Sequence, residues 1–149
     1  MQEYVDAALE ERVRGAALPF ATVERATGRV IGTTRFGSPA LAHRRVEIGW
    51  TWLGPEYWRT GRNVEAKLLM LEFAFGQLDL RRVEFKTDAL NVRPRAAIEA
   101  LGTTFEGVFS KHMVRADGSA RDSARDSAYY AIVDDQWPTV RAGLSLIHI

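Results

Sequence analysis

At 149 residues the chain has room for one domain with a sizeable core and not for two ordinary ones. Its 46% hydrophobic and 26% charged content fits a soluble globular protein, and 20 basic against 19 acidic residues leave a net charge of +1. That balance excludes a general electrostatic attraction to nucleic acid or an anionic membrane, and the absence of cysteine excludes disulfides, thiolate metal sites and a Cys nucleophile.

Residues Gln2–Val13, rich in Ala, Leu and Glu, predict a helix that stops at Gly15. Leu18–Arg25 and Arg29–Phe36 predict two strands joined as a hairpin through Ala-Thr-Gly, and Gly37–Arg44 with Pro39 reads as a loop. Val46–Leu53 alternates as a strand. Val46, Ile48, Trp50 and Trp52 fall on one face, and Glu47, Gly49 and Thr51 on the other. After the Gly54-Pro55 break the period turns helical from Asn63 to Gln77, with Val64, Leu68, Leu71 and Phe75 as one stripe. Leu69, Met70, Phe73 and Ala74 lie between them, so this helix is expected to be largely buried.

Arg81–Thr87 follows as a strand, and Val92–Leu101 as a helix with Pro94 in its first turn. Thr104–Val114 and Ser127–Val133 read as antiparallel strands, and Asp135–Leu144 as a surface helix. Alternation in the middle and antiparallel runs at both ends predict an α/β domain on a mixed sheet over residues 1–144, with 145–149 as a tail outside it. The tandem RDSA, Arg121–Ala124 then Arg125–Ala128, reads as neutral length in a polar loop.

Little here points to covalent or metal chemistry. His43, His112 and His148 are scattered, so no metal site is expected, and Ser38 in FGSPA is not a nucleophile elbow. No apolar run reaches bilayer-spanning length, and Met1–Gly15 is acidic and amphipathic, unlike a leader, so a cytoplasmic location is expected. The informative stretch is Glu56–Lys67. A strand ends, a loop with Gly61 follows, and a helix begins near Asn63, where free N–H groups and the helix dipole favour phosphate. Gly61 admits a close anion, and Arg59 and Arg62 add charge; the competing reading is a plain turn with solvated arginines.

Taken in order, these segments resemble the GNAT N-acetyltransferases, specifically a ribosomal-protein-alanine-acetyltransferase-like branch. The resemblance is carried by Leu18-Pro-Phe-Ala, Gly28–Phe36, Arg45–Leu53, the Gly61-x-Asn-x-Glu-Ala-Lys stretch, Arg81–Asp88, Asn91-x-Arg, Leu101-Gly and Phe105-Glu-Gly. It implies acetyl-CoA as co-substrate, without a metal, and direct transfer to a primary amine, either a protein N-terminus or a small amine. The family's pyrophosphate loop falls on Trp58-Arg-Thr-Gly-Arg-Asn63, where only Gly61 matches strictly.

By resemblance Trp52, Leu53, Arg59, Thr60, Gly61, Arg62, Asn63, Asn91 and Arg95 are expected at the cofactor, and Trp50 and Trp58 at the acceptor. Each has a bland counterpart: core packing for the tryptophans, an N-cap for Asn91, solvation for Arg95 and for Lys86. Glu47 is the expected base, with an ion pair to Arg45, Arg35 or Lys86 as the alternative. The family's thiolate-protonating Tyr has no match in Val92–Leu101, where Ile98 lies near its place, so the general acid is unassigned; water, Tyr129 and Tyr130 are the remaining candidates. Members begin with a further strand and helix, so the chain reads as a fragment or an aberrant gene model. A catalytically impaired CoA-binding module is the alternative function. Acetyl-CoA and an amine are the expected partners, with a homodimer as an option and neither nucleic acid nor membrane.

Overall fold

A computed structural model describes residues 1–115 and 123–147. Helix α1 (Gln2–Val13) leads into the hairpin β1 (Ala17–Val23) and β2 (Val30–Ala40), then β3 (Arg45–Leu53), α2 (Arg62–Glu72), β4 (Arg82–Asp88), α3 (Val92–Glu99), β5 (Thr104–Val114), β6 (Ala124–Val133) and α4 (Trp137–Ile147). The six strands form one mixed sheet in the order β1-β2-β3-β4-β6-β5. Among the described strands β3 and β4 are the one neighbouring pair that runs parallel, joined by the crossover helix α2; α3 makes a second crossover from β4 to β5, with the antiparallel β6 between them.

Burial divides the helices between the two faces of the sheet. Phe36, Val46, Ile48, Val83, Phe85, Tyr130 and Ile132 form one core with Met70, Leu71 and Ala74 of α2 and its extension and with Leu144 of α4. Ile98 of α3 packs against the same cluster. The other face carries α1: Arg35, which alternates with the core-facing Thr34 and Phe36, is buried there in an ion pair with Glu11 at 2.7 Å. Leu71 is fully buried at the centre of the core. Leu71→Ala is expected to cost about 2–5 kcal/mol, read as a fall in the urea midpoint at constant slope.

Four details depart from the sequence reading. The buried stripe of α2 is Lys67, Met70 and Leu71, continued by Ala74, while Leu69 is 61% exposed. Leu69 borders a cavity of about 740 Å³ with Phe20, Ile31 and Phe73, so the helix is buried on one side only. The segment after Phe36 stays extended to Ala40 rather than looping, because Gly37 pairs with Glu47 and Ala40 with Arg45. The strand expected from Ser127 starts earlier, so Ala124 of the first RDSA copy and the whole second copy are strand, not loop filler: Arg125 pairs with Met113 and Ala124 with Val114, and Ser127 and Ala128 are fully buried. Arg121 and Asp122 of the first copy lie outside the described residues. Finally, α4 continues through Ile147, so the expected tail is helical up to there; Ile149 and His148 are outside the described residues.

Candidate functional site

Strands β3 and β4 pair at only three positions, Arg45–Arg82, Val46–Val83 and Glu47–Glu84. Beyond Glu47, β3 runs on to Leu53 and β4 to Asp88 with no ladder between them. A wedge therefore opens at the C-terminal ends of two adjacent parallel strands, where α/β folds place their ligands. Each arm delivers the chain to a helix N-terminus, α2 after β3 and α3 after β4.

Neither helix start is closed by a side chain. Gly61 is the N-cap of α2 at φ 82°, a left-handed conformation that costs glycine nothing, and it makes no side-chain cap. Arg59 is also left-handed, at φ 62°, so the loop turns its backbone twice before the helix. Thr60 bonds back to the Tyr57 carbonyl, and Arg62 is held at 3.2 Å by Glu24 from the β1–β2 turn. Of the two loop arginines, then, Arg59 is exposed and Arg62 is engaged. Asn63 and Val64 complete a first turn whose amides meet no capping side chain. Asn91 sits at the N-cap of α3, yet its side chain caps nothing.

Arg95 is used by the fold. It donates to the Tyr130 hydroxyl at 2.9 Å and to the Ala89 carbonyl. The cation toward the other junction is Arg93, which stacks over the Trp58 ring at 3.8 Å. Arg93 is the arginine of the Asn91-x-Arg segment, to which the sequence reading assigned no site role; its signal was a cation in the first turn of a helix that begins at an N-cap asparagine. Trp58 is fixed from behind by its ring N–H on the Leu53 carbonyl at 2.9 Å. Trp50, Trp52 and Trp58 are 40, 49 and 46% exposed, so none of the three is core.

Glu47 is the last residue of β3 paired with β4 and so stands at the vertex of the wedge. It is 5% exposed, and Lys86 lies 3.4 Å away. Of the three ion pairs open in the sequence, only this one forms; Arg45 goes to Glu84 and Arg35 to Glu11. Burial pushes the Glu47 carboxyl above its ordinary value, and the Lys86 charge opposes that rise. Lys86 is thereby placed beside Glu47, not at either helix start.

The face assignment along β3 needs correction past Gly49. Trp50 adopts φ 51°, and the register jumps from Arg35–Gly49 to Thr33–Trp52, so two residues oppose Thr34. The bulge turns Trp50 onto the Glu47 face, where its ring covers Gly37, and turns Thr51 to the α2 side. Tyr129 shares the Glu47 face, paired with Lys86, and burial raises its phenol pKa so that it stays protonated at neutral pH. Tyr130 is fully buried on the other face, bonded to Arg95 and Glu99. Among the described residues no cluster of three or more His, Asp or Glu could hold a metal, and no helix is long and apolar enough to cross a membrane.

The site is thus a sheet split between two neighbouring parallel strands, with open helix starts on both arms and a buried carboxylate at the vertex. Residues 1–104 match the family model described as an acetyltransferase (GNAT) domain. The chain is 30% identical over 127 residues to the uncharacterized N-acetyltransferase YoaA of Bacillus subtilis (strain 168), covering 85% of this chain and 67% of that protein. It is 30% identical over 96 residues to the uncharacterized N-acetyltransferase p20 of Bacillus licheniformis, covering 64% of this chain and 53% of that protein. Among solved structures, a GCN5-related N-acetyltransferase from Brucella melitensis superposes with a TM-score of 0.80 at 29% identity, over 93% of this chain and 62% of that one. The chain belongs to the GNAT acetyltransferase family. It spans about half to two thirds of the length of these relatives.

Proposed function

We propose that this chain transfers the acetyl group of acetyl-CoA directly to a primary amine, with Glu47 as the base. The observation that carries the reading is the wedge itself, because it gives the two reactants separate entrances that meet at one point. The starts of α2 and α3 offer uncapped amides for phosphate and pantetheine oxygens, with Gly61 allowing close approach. Within that cradle Arg59, Thr60, Arg62 and Asn63 line the phosphate end, while Trp52, Leu53 and Asn91 flank the arm that carries the thioester.

When bound, acetyl-CoA supplies the activated acetyl group. The protein's share is to hold the amine against it, which can remove up to about 7–11 kcal/mol of the barrier. Backbone N–H groups of β3 past Glu47 have no ladder partner across the split and can polarise the thioester carbonyl. Glu47 takes the ammonium proton, directly or through one water. The nitrogen then attacks, C–N forms as C–S breaks, the nitrogen gives up its second proton to become the amide, and one proton goes to the departing thiolate. Tyr129 is the protonated hydroxyl on the Glu47 face and the better of the two tyrosine candidates for that role.

The acceptor enters from the face that carries α1, past Trp50, whereas Trp58, expected at the acceptor, is stacked on Arg93 between the two helix starts and so belongs with the cofactor cradle. An α-amine, with a pKa of about 7.7–8.0, yields its proton more readily than a lysine at about 10.4, which favours a peptide N-terminus or a small amine of comparable basicity. Two neighbours below 25% identity share the fold, one a ribosomal-protein-serine acetyltransferase structure and one a spermidine N-acetyltransferase, both from Vibrio cholerae. The branch of ribosomal-protein acetyltransferases remains our preferred placement, on the segments quoted above.

The test is acetyl transfer from acetyl-CoA, followed by mass spectrometry, to peptides beginning with alanine or serine and to spermidine. Transfer to the peptide α-amine at several times the rate to spermidine is the expected result. The reverse order would assign a small-amine acceptor. The outer edge of β1 pairs with no described strand, and the apolar cavity lies beside it. That favours, as a second reading, a CoA-binding module completed by a partner. It predicts acetyl-CoA binding without transfer to any of these amines.

A further inference from the structure

Lys67 lies in the middle of the buried face of α2, 4% exposed, with no carboxylate to meet it among the described residues. Its amine donates to Thr34 Oγ1 of β2 at 2.7 Å and to Thr51 Oγ1 of β3 at 2.6 Å. The two hydroxyls are 3.0 Å apart, and Thr34 reaches the Gly49 carbonyl at 3.4 Å. These contacts bracket the β3 bulge on both sides. Above the bulge, on the Glu47 face, Tyr4 donates to the Trp50 carbonyl at 3.0 Å and Arg35 stacks on the Trp50 ring. A Cβ on Gly37 would come within 2.2 Å of that ring. Trp50 at φ 51° is a conformation that β-strand residues keep only when the surroundings hold it.

We propose that Lys67, in its uncharged form, is a positioning residue that pins the β3 bulge from below and so keeps Trp50 on the Glu47 face beside the wedge. Hydrogen-bond arithmetic sets the charge state. A neutral amine has two hydrogens, and the two threonine oxygens take both. An ammonium brings a third, for which no acceptor is found among the described residues. No charge compensates. Arg35 and Glu47 of β2 and β3 alternate to the other face, Arg62 is held by Glu24, and Glu65 lines the cavity. Glu72, a turn beyond, pairs with Arg141 of α4.

Burial alone brings the Lys67 pKa down from 10.5 to about 7. The sign follows from linkage. Between those values the unfolded chain holds the proton and the folded chain does not, so stability rises with pH from about 7 and the penalty is fully present below it.

The inference rests on the acetyl-transfer reading for its kinetic arm only, and a spectroscopic arm stands without it. In protein labelled with 5-fluorotryptophan, the Trp50 fluorine signal is assigned by its loss in Trp50→Phe. It should shift between pH 6 and 9 with a midpoint near 7, and the shift should vanish in Lys67→Met. Every other group is common to both proteins, so any effect of theirs on the signal cancels in the comparison. Lys67→Met should melt no lower than the parent at pH 6, since Thr34 and Thr51 can then bond each other. With acetyl-CoA and the alanine-leading peptide, Lys67→Met and Thr51→Val should each lower kcat about tenfold with KM for acetyl-CoA unchanged, and Thr51→Ser should retain it.

A Trp50 signal that does not titrate in the parent, or titrates equally in Lys67→Met, overturns the proposal. So does a fall in kcat that is matched by a fall in melting temperature, which marks simple packing. A parent without turnover sinks the acetyl-transfer reading, and the fluorine titration then decides Lys67 by itself.

Discussion

Glu47→Gln is expected to lower the rate of acetyl transfer by about 10²–10⁴-fold while leaving acetyl-CoA binding intact. The substitution keeps the volume at a 5%-exposed position and removes only the basicity. Burial raises the Glu47 pKa above its ordinary value, which strengthens the carboxylate as a base, and the Lys86 charge beside it opposes that rise. In the parent the rate should therefore fall as pH drops through that raised pKa, and in Glu47→Gln this acid limb should be missing. The loss should shrink at high pH, where the amine arrives already deprotonated. A carboxylate that only ties β3 to β4 through Lys86 makes another pattern: a lower melting temperature, weaker acetyl-CoA binding and no rescue at high pH. Parallel pH profiles for the two proteins would remove Glu47 from the mechanism.

Gly61→Val should abolish the stabilisation that acetyl-CoA confers. At a concentration near 100 times its Kd a ligand that binds only the folded state adds about 2.7 kcal/mol, a shift of several degrees in a domain of this size. Valine acts against binding twice. Gly61 is at φ 82°, where a β-branched residue is strained by about 1–3 kcal/mol, and its side chain would stand where a phosphate must approach the first-turn amides of α2. The two effects separate with Gly61→Asn, which tolerates the left-handed conformation but still carries a side chain. If space is the cause, Asn should retain the apo melting temperature and still lose the acetyl-CoA shift. A full shift in Gly61→Val would place the phosphates elsewhere.

The element order was legible in the sequence wherever local periodicity and punctuation agreed. Helix α1 and strand β5 match their predicted ranges, and the mixed α/β sheet followed from helical segments between the middle strands and antiparallel runs at the ends. Gly61 before a long helix was visible too, because glycine at a strand-to-helix junction leaves a local signature. The faces of β3 were not. Alternation assumes a regular ladder, and the extra residue at Trp50 inverts every assignment after it. That bulge is held by Tyr4, Arg35, Gly37 and Lys67, which come from three other elements, so no window of β3 contains its cause. Lys67 itself interrupts the apolar stripe of α2, and a polar residue at a core position can be recognised as satisfied only once Thr34 and Thr51 are in place around it. Likewise the partner of Glu47 was undecided among three cations until the register of β3 on β4 brought Lys86 within 3.4 Å. Local pattern and turn chemistry thus determined which segments form and in what order. Register, the bulge and the wedge were decided by tertiary packing, since each depends on contacts between residues far apart in the chain.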